Sequence, residues 1–182
     1  MKSLKEKLLI YKVRQNKDAE AYGKLYDTYV SKIFRFILFK VSIVEIAEDL
    51  TSEVFLKTWE YINSTEKKIE NFNALIYRVA RNCVIDHYRN KQRSDIATDE
   101  EILENIEENR SLEKETEIKV EIENIQNHLT KLKDIYREVV TLKYIEEFSI
   151  AEIAELIDKT PGNVRVLLHR AMEALKEIIE KK

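Results

Sequence analysis

Two glycines and one proline in 182 residues constrain this chain more than any other feature of its sequence. Tight hairpins and irregular loops depend on these two residue types, because glycine accepts a positive φ and proline fixes the geometry of a turn. Charged residues make up 36% of the chain, mostly lysine and glutamate, which are good helix formers. The sequence therefore predicts an all-α protein, with enough residues for one large domain or two small ones.

Apolar periodicity divides the chain into two helical units that flank an acidic segment. The first unit is predicted over residues 1–93, with Asp18 as the N-cap of one of its helices. The second unit is predicted over residues 122–182. Between them, residues 94–121 are predicted to form an acidic linker, since residues 95–123 carry twelve acids against three cations and no aromatic side chain.

A helix-turn-helix is predicted near the C-terminus. Ser149–Glu152 has the sequence of a capping box, a three-residue break follows at 158–160, and Pro161 suits the first turn of the next helix. Apolar residues of that helix share one face, and polar ones face away: Val164, Leu168, Ala171 and Leu175 against Arg165, Val166, His169, Arg170 and Lys176. Such a helix can present donors to base edges and phosphates, although a solvated basic face is the alternative.

A second basic surface is predicted on a helix from about Phe72 to Asn90. Its cations and amide cluster on one side of the helix: Arg78, Arg81, Asn82 and Arg89. With Tyr77 and Tyr88 nearby, this side would suit strand-separated DNA, because cations follow the backbone while amides and rings hold an unstacked base. The alternative is an ordinary solvated face.

The preceding helix, predicted from about Val44 to Ile62, has an acidic side that includes Asp49 and Glu53 around an exposed Leu56. An exposed leucine among acids suggests a surface for a basic partner, and an ordinary acidic solvent face is the alternative.

Other functional classes are not expected. A single cysteine, Cys83, forms no internal disulfide, which indicates a reducing cytosol, and no apolar segment is long enough to span a membrane. Cys83 and His87 are too few ligands for a structural zinc. Without a glycine-rich phosphate loop or a catalytic motif, we expect no catalytic residue, no metal and no cofactor in this cytoplasmic protein.

Three groups of segments resemble the extracytoplasmic-function (ECF) sigma factors of bacterial RNA polymerase. Residues 47–56 resemble the helix of that family that binds core polymerase (region 2.2). Residues 72–82, with Asp86 and Arg89, resemble its promoter-melting and −10-reading helix (regions 2.3 and 2.4). Three further segments resemble region 4, which reads the −35 element: 136–140, 149–154 and 162–171.

The resemblance implies a sigma region 2 helical bundle and a sigma region 4 helix-turn-helix, joined by the acidic linker. It also implies core RNA polymerase (β′ clamp helices and β flap), promoter DNA and an anti-sigma factor as partners. Residues that stand at positions with a role in the family are called carried over to that role. Those carried over to binding of core polymerase are Asp49, Ser52, Glu53 and Leu56. Those carried over to the −10 element are Asn73, Arg78, Arg81, Asn82 and Arg89, with 63–73 as a loop that captures a flipped base. Those carried over to the −35 element are Arg165, Val166, His169 and Arg170.

Two other interpretations fit the pattern of helices. A stand-alone helix-turn-helix regulator would bind duplex DNA without polymerase, and a helical adaptor would bind only proteins. Ser52 stands where the ECF family usually has glutamine, and Leu167 replaces a usual arginine. The sequence leaves open whether the two units pack together in the free chain.

Overall fold

A computed structural model describes residues 2–65, 67–95, 125 and 127–180, and all the regular secondary structure in these residues is helical. The N-terminal unit contains four helices: α1 (Lys2–Asn16), α2 (Ala19–Val41), α3 (Val44–Ser64) and α4 (Phe72–Asp95). In the C-terminal unit, residues 127–130 are helical, and the helices that follow are α5 (Asp134–Val140), α6 (Ile150–Leu156) and α7 (Pro161–Glu180). The expected all-α fold is confirmed, and the predicted acidic linker lies outside the described residues beyond Asp95.

Helix α2 is the centre of the N-terminal unit and packs against α1, α3 and α4. Its predicted N-cap is confirmed, since Asp18 Oδ1 accepts a hydrogen bond from the Ala21 amide at 2.9 Å. The helix ends where Ser42 adopts a φ of 61° and donates its amide proton to the Leu38 carbonyl at 2.8 Å. Both ends of this long central helix are therefore capped within the unit.

Apolar faces at helical spacing form the core of the N-terminal unit. From α4 the core takes Ile76, Ala80, Cys83 and Val84, all buried. Two buried threonines of α3 are satisfied within their own helix, because Thr51 and Thr58 donate to carbonyls one turn earlier at 2.6 and 2.7 Å. The core side of α3 and α4 thus fixes which of their side chains face outward.

The C-terminal unit is the predicted helix-turn-helix. The capping box is confirmed: Ser149 Oγ accepts from the Glu152 amide at 3.3 Å, and the Ser149 amide donates to Glu152 Oε2 at 2.9 Å. In the turn, Asp158 has a φ of 52°, a conformation that aspartate tolerates better than most residues. Helix α7 then begins at Pro161, and Thr160 Oγ1 accepts from the Asn163 amide at 3.2 Å.

A π-helical turn, Thr141–Ile145, continues α5. Its wider spacing is seen where the Glu146 amide donates to the Thr141 carbonyl, five residues back, at 3.0 Å. The residues that follow the π-helical turn, Glu146 and Phe148, contact the N-terminal unit. The two units therefore pack against each other, through α2 with α5 and α4 with α6.

Candidate nucleic-acid interface

The residues carried over to core binding lie together on the outer side of α3. Asp49, Ser52 and Leu56 are exposed, and Leu56 shows 59% of its surface to solvent. Glu53 is half-exposed and forms an ion pair with Lys57 at 2.7 Å, a contact that raises the pKa of Lys57. Because Val54 and its neighbours hold the other side of α3 in the core, this acidic surface is presented by a fixed helix.

The five residues carried over to the −10 element divide into two groups. Arg78, Asn82 and Arg89 are exposed on one side of α4, whereas Asn73 and Arg81 are half-buried. Arg81 points toward the C-terminal unit, where its Nε donates to Glu138 Oε1 at 2.9 Å. The solvent-facing group can follow a DNA backbone as the structure stands, and Arg81 is already engaged.

The two aromatic residues of α4 are less available to a base than the sequence suggested. Tyr77 is 1% exposed and packs edge-to-face between Phe36 and Phe148, so its ring is not available to stack on a base. Tyr88 is only partly exposed, and its hydroxyl donates to the Lys40 carbonyl at 2.9 Å. Of the features expected on this surface, the cations and Asn82 remain as DNA-binding candidates.

The segment before α4 lies beside the helix-turn-helix. Asn71 Oδ1 accepts from the Ala74 amide at 3.1 Å and so caps α4. A hydrogen bond from the side chain of Asn71 also contributes to the lowered pKa of Glu152, after the larger contributions from Ser149. The loop expected to capture a flipped base, 63–73, therefore touches α6 in this arrangement.

Helix α7 presents all four residues carried over to the −35 element to solvent. Arg165, Val166, His169 and Arg170 are exposed, and the opposite side buries Val164, Leu168 and Ala171 as predicted. The imidazole of His169 lies 3.4 Å from a carboxylate oxygen of Glu173. The buried side anchors α7 on the unit while the free side has the character of a helix that enters a DNA groove.

Two buried carboxylates of the C-terminal unit hold cations of the N-terminal unit, and we call these contacts the carboxylate clasp. Glu138 lies 3.3 Å from Lys40 Nζ and 2.9 Å from Arg81 Nε, and the Glu138 and Lys40 side chains are 4% and 8% exposed. Glu146 accepts from Arg35 Nη2 at 2.7 Å and Nε at 3.0 Å. It also accepts a hydrogen bond from the Tyr77 hydroxyl.

Burial explains the chemistry of the clasp. A buried charge is tolerated only when it is paired and hydrogen-bonded, and each carboxylate here has at least one cationic partner. Burial, followed by the hydrogen bond to Glu146, raises the pKa of Tyr77 far above its ordinary value, so its hydroxyl stays a donor. The clasp is thus a satisfied polar network rather than a loose surface contact.

Arg137 joins the units at the end of α2. Its Nη1 donates to the carbonyls of Phe39 and Lys40 at 3.2 Å each. These carbonyls belong to the last turn of α2, which has no partner for them within the helix and carries partial negative charge. The other guanidinium nitrogens donate to carbonyls of its own unit, at Leu129, Thr130 and Leu132.

Sequence reasoning missed the clasp because its acids carry no local signal. Glu138 stands beside Val139 and Val140 in an ordinary apolar helix, and nothing in the sequence marks it as buried. Within the described ranges, no group of three or more His, Cys, Asp or Glu side chains could hold a metal ion. None of the helices in the described part of the chain combines the length and apolar character needed to cross a membrane.

Comparisons with known proteins cover both units. The family model for Sigma-70 region 2 matches residues 25–94, and that for Sigma-70, region 4 matches residues 122–175. The chain is 31% identical to the ECF RNA polymerase sigma factor SigW of Bacillus subtilis, over 94% of this chain and 97% of SigW. It is also 31% identical to the ECF RNA polymerase sigma factor BldN of Streptomyces coelicolor, over 89% of this chain but only 61% of BldN.

A solved structure shares the fold. The sigma factor RpoE of Bartonella quintana, in a co-crystal with the anti-sigma factor NepR, superposes with a TM-score of 0.72 over 87% of this chain and 96% of RpoE. Its sequence identity is 19%, so the likeness concerns the fold alone. The matches to both sigma regions, together with 31% identity across nearly all of SigW, show that this chain belongs to the ECF family of RNA polymerase sigma factors.

Proposed function

We propose that this sigma factor docks on core RNA polymerase through α3 and directs promoter-specific initiation through α4 and α7. Sigma factors are transcription initiation factors rather than enzymes, and no residue here is assigned a catalytic role. The supporting observation is that three exposed faces lie on three separate helices, each anchored by a buried opposite side. Each face can therefore engage its own partner without unfolding its unit.

The α3 face is the proposed polymerase contact. Asp49 and Glu53 supply negative charge, Ser52 a hydroxyl, and Leu56 an exposed apolar side chain near them. Such a surface suits a basic helical partner, for which we propose the β′ clamp helices, with the β flap contacting the C-terminal unit. Charge complementarity would set the rate and orientation of docking, and burial of Leu56 would add affinity.

The α4 face is the proposed −10 contact. Arg78 and Arg89 would follow the phosphates of the melted strand, and the Asn82 amide would hydrogen-bond an unstacked base with Asn73 beside it. Arg81 would join them once it is free of Glu138. Because α3 and α4 pack against each other, docking of α3 on polymerase would place this face next to the melted DNA.

The α7 face is the proposed −35 contact. Arg165 and Arg170 have the donors needed for guanine edges or phosphates, and Val166 and His169 project beside them. The whole chain has a net charge of −3, so binding of either face to free DNA should be weak. When polymerase holds both units, the second DNA contact becomes effectively intramolecular.

The proposed domain boundaries are 1–93, 94–121 and 122–182, which are supported by the family matches to 25–94 and 122–175. We place the protein in the cytoplasm, where RNA polymerase acts. Control by an anti-sigma factor is part of the proposal. RpoE has the same fold as this chain and was solved in complex with the anti-sigma factor NepR, which supports such control.

In vitro transcription with sigma-free core polymerase tests the proposal. Run-off product should appear from a mapped promoter only when this chain is added. Asp49→Ala with Glu53→Ala should reduce core affinity about tenfold or more, because two charges are lost from the proposed contact. A matched control, Glu20→Ala with Asp27→Ala, removes the same charge from exposed positions of α2 and should leave core affinity unchanged.

Two results would contradict the proposal. Absence of promoter-dependent product with core polymerase would remove the sigma assignment for this chain. Tight and specific binding to duplex DNA without core would instead favour the stand-alone regulator, for which the comparisons give no support.

A further inference from the structure

We propose that the carboxylate clasp autoinhibits the free chain, because Glu138 engages Arg81 in place of promoter DNA and Glu146 helps to hold the two units together over the −10 surface. The inference rests on the proposed function and adds a mode of regulation to it. In the closed arrangement the C-terminal unit covers one flank of the −10 surface, and polymerase binding would have to separate the units.

Arg81 gives the first argument. Within the described part of the chain, it is the residue carried over to the −10 element that pairs with the other unit, with its Nε 2.9 Å from Glu138 Oε1. A carboxylate satisfies a guanidinium with nearly the same geometry as a phosphate oxygen does. Glu138 therefore competes with DNA for the Nε donor of Arg81, and its negative charge offsets the positive charge that would attract a phosphate.

Glu146 gives the second argument. Its carboxylate accepts two hydrogen bonds from Arg35, at 2.7 and 3.0 Å, and a third from Tyr77. The Glu146 side chain is 2% exposed, and next to it the buried ring of Phe148 packs on Tyr77 with centroids 4.9 Å apart. The carboxylate of this ion pair is shielded from water, whereas the Arg35 side chain is 37% exposed, and the contact between Phe148 and Tyr77 adds apolar burial beside it.

The loop before α4 gives the third argument. Asn71 lies within the predicted base-capturing loop at the start of α4, which packs against α6, and its side chain contributes to the lowered pKa of Glu152. The C-terminal unit thus contacts α2, α4 and this loop together. A flipped base would have to enter beside α6, so the closed arrangement obstructs the proposed −10 site at both Arg81 and the loop.

Mass action sets the expected size of the effect. When only a fraction of the molecules is competent, the apparent dissociation constant rises by the inverse of that fraction. A clasp that holds about nine molecules in ten closed would weaken DNA binding about tenfold. Release of the clasp should recover that factor in the free chain and should have little effect once polymerase holds the units apart.

The test compares two variants of the full-length chain that carry the same change in charge. Glu138→Gln with Glu146→Gln removes the clasp carboxylates, and Glu155→Gln with Glu177→Gln removes two exposed ones from the same unit. Binding to a fluorescent single-stranded oligonucleotide of random sequence is measured by anisotropy without polymerase, and the radius of gyration by small-angle X-ray scattering. We expect about tenfold tighter binding and a larger radius for the clasp variant only.

A charge swap covers the case in which the Gln variant loses helicity. Glu146→Arg alone places the new cation against Arg35 and should extend the chain. Adding Arg35→Glu restores an opposite-charge pair at the same place, so a radius that returns to that of the natural chain supports the clasp. An extended swap variant overturns it, as does a helical Gln variant with unchanged radius and unchanged oligonucleotide affinity. Run-off transcription by the natural chain with core polymerase is measured in parallel and tests the proposed function separately. If the natural chain gives product while the Gln variant keeps the natural radius and oligonucleotide affinity, the clasp is rejected and the proposed function stands.

Discussion

Replacement of Ser149 by alanine should loosen α6 and thereby the support of the DNA-facing helix α7. The helix has seven residues, so its capping box is a large part of what holds its first turn. Ser149 Oγ accepts from the Glu152 amide at 3.3 Å and donates to Glu152 Oε2 at 2.6 Å. Loss of a serine N-cap costs about 1 kcal/mol, with a range of roughly 0.5–2 kcal/mol, and we expect a value in the upper half of that range.

Hydrogen exchange measures this loss at the helix itself. A change of about 1.4 kcal/mol is a tenfold change in an equilibrium constant, so amide protection at Ile153 and Ala154 should fall roughly eight- to thirtyfold. Ser52→Ala is the matched control, because Ser52 Oγ donates to the Glu48 carbonyl inside α3 and caps nothing. Protection of α6 within twofold of the natural chain would refute the reasoning.

The same box predicts a pH dependence. The hydrogen bonds from Ser149, the side-chain one first and the backbone one second, lower the pKa of Glu152 from its ordinary value of 4.5. A carboxylate with a lowered folded-state pKa stabilises the fold above the unfolded pKa, and that stability is lost as the pH falls through the folded value. The difference in α6 protection between the natural chain and Glu152→Gln should therefore be full at pH 7 and shrink below pH 4.5. A constant difference across that range would contradict the capping role of the carboxylate.

Two further predictions follow from residues on α7 and at the junction of the units. Arg165→Ala should lower −35-dependent transcription by about tenfold, since a side-chain contact to a base is worth about 1–3 kcal/mol, while Lys131→Ala removes the same charge outside α7 without effect. Reduced core affinity of Arg165→Ala would contradict this assignment. Phe148→Ala should lower the free energy of unfolding in urea by about 3 kcal/mol, because the ring is buried against Tyr77. A loss below about 1 kcal/mol would show that the ring is not held there in solution.

Features set by neighbouring residues were predictable from the sequence. The capping box at Ser149, the N-cap at Asp18 and the turn before Pro161 depend on side chains within four residues of the backbone groups they serve. The buried stripe of α7 follows from helical geometry alone, and its four solvent-facing residues follow with it. Local chemistry and the 3.6-residue period therefore account for the C-terminal half of the candidate site.

Features set by contact between the units were not predictable. On a helical wheel Arg81 lies roughly 60° from Arg78, at the edge of the basic face and next to the side that carries Tyr77. Whether such an edge residue faces solvent or another unit depends on packing, and the periodicity of α4 alone contains no information about Glu138. The sequence places Tyr77 beside the basic face, where its ring could hold an unstacked base. In the structure, the ring is instead enclosed between Phe36 and Phe148.

The π-helical turn at Thr141–Ile145 makes the coupling of the two halves depend on a count of residues rather than on their chemistry. The extra residue in that turn rotates everything after it by about 100° relative to an uninterrupted α-helix. Deletion of one residue there would turn Glu146 away from Arg35 without changing the identity of any charged side chain on α6 or α7. Insertions and deletions in this short stretch are thus a simple evolutionary route by which relatives with the same DNA-facing helices could gain or lose communication between their halves.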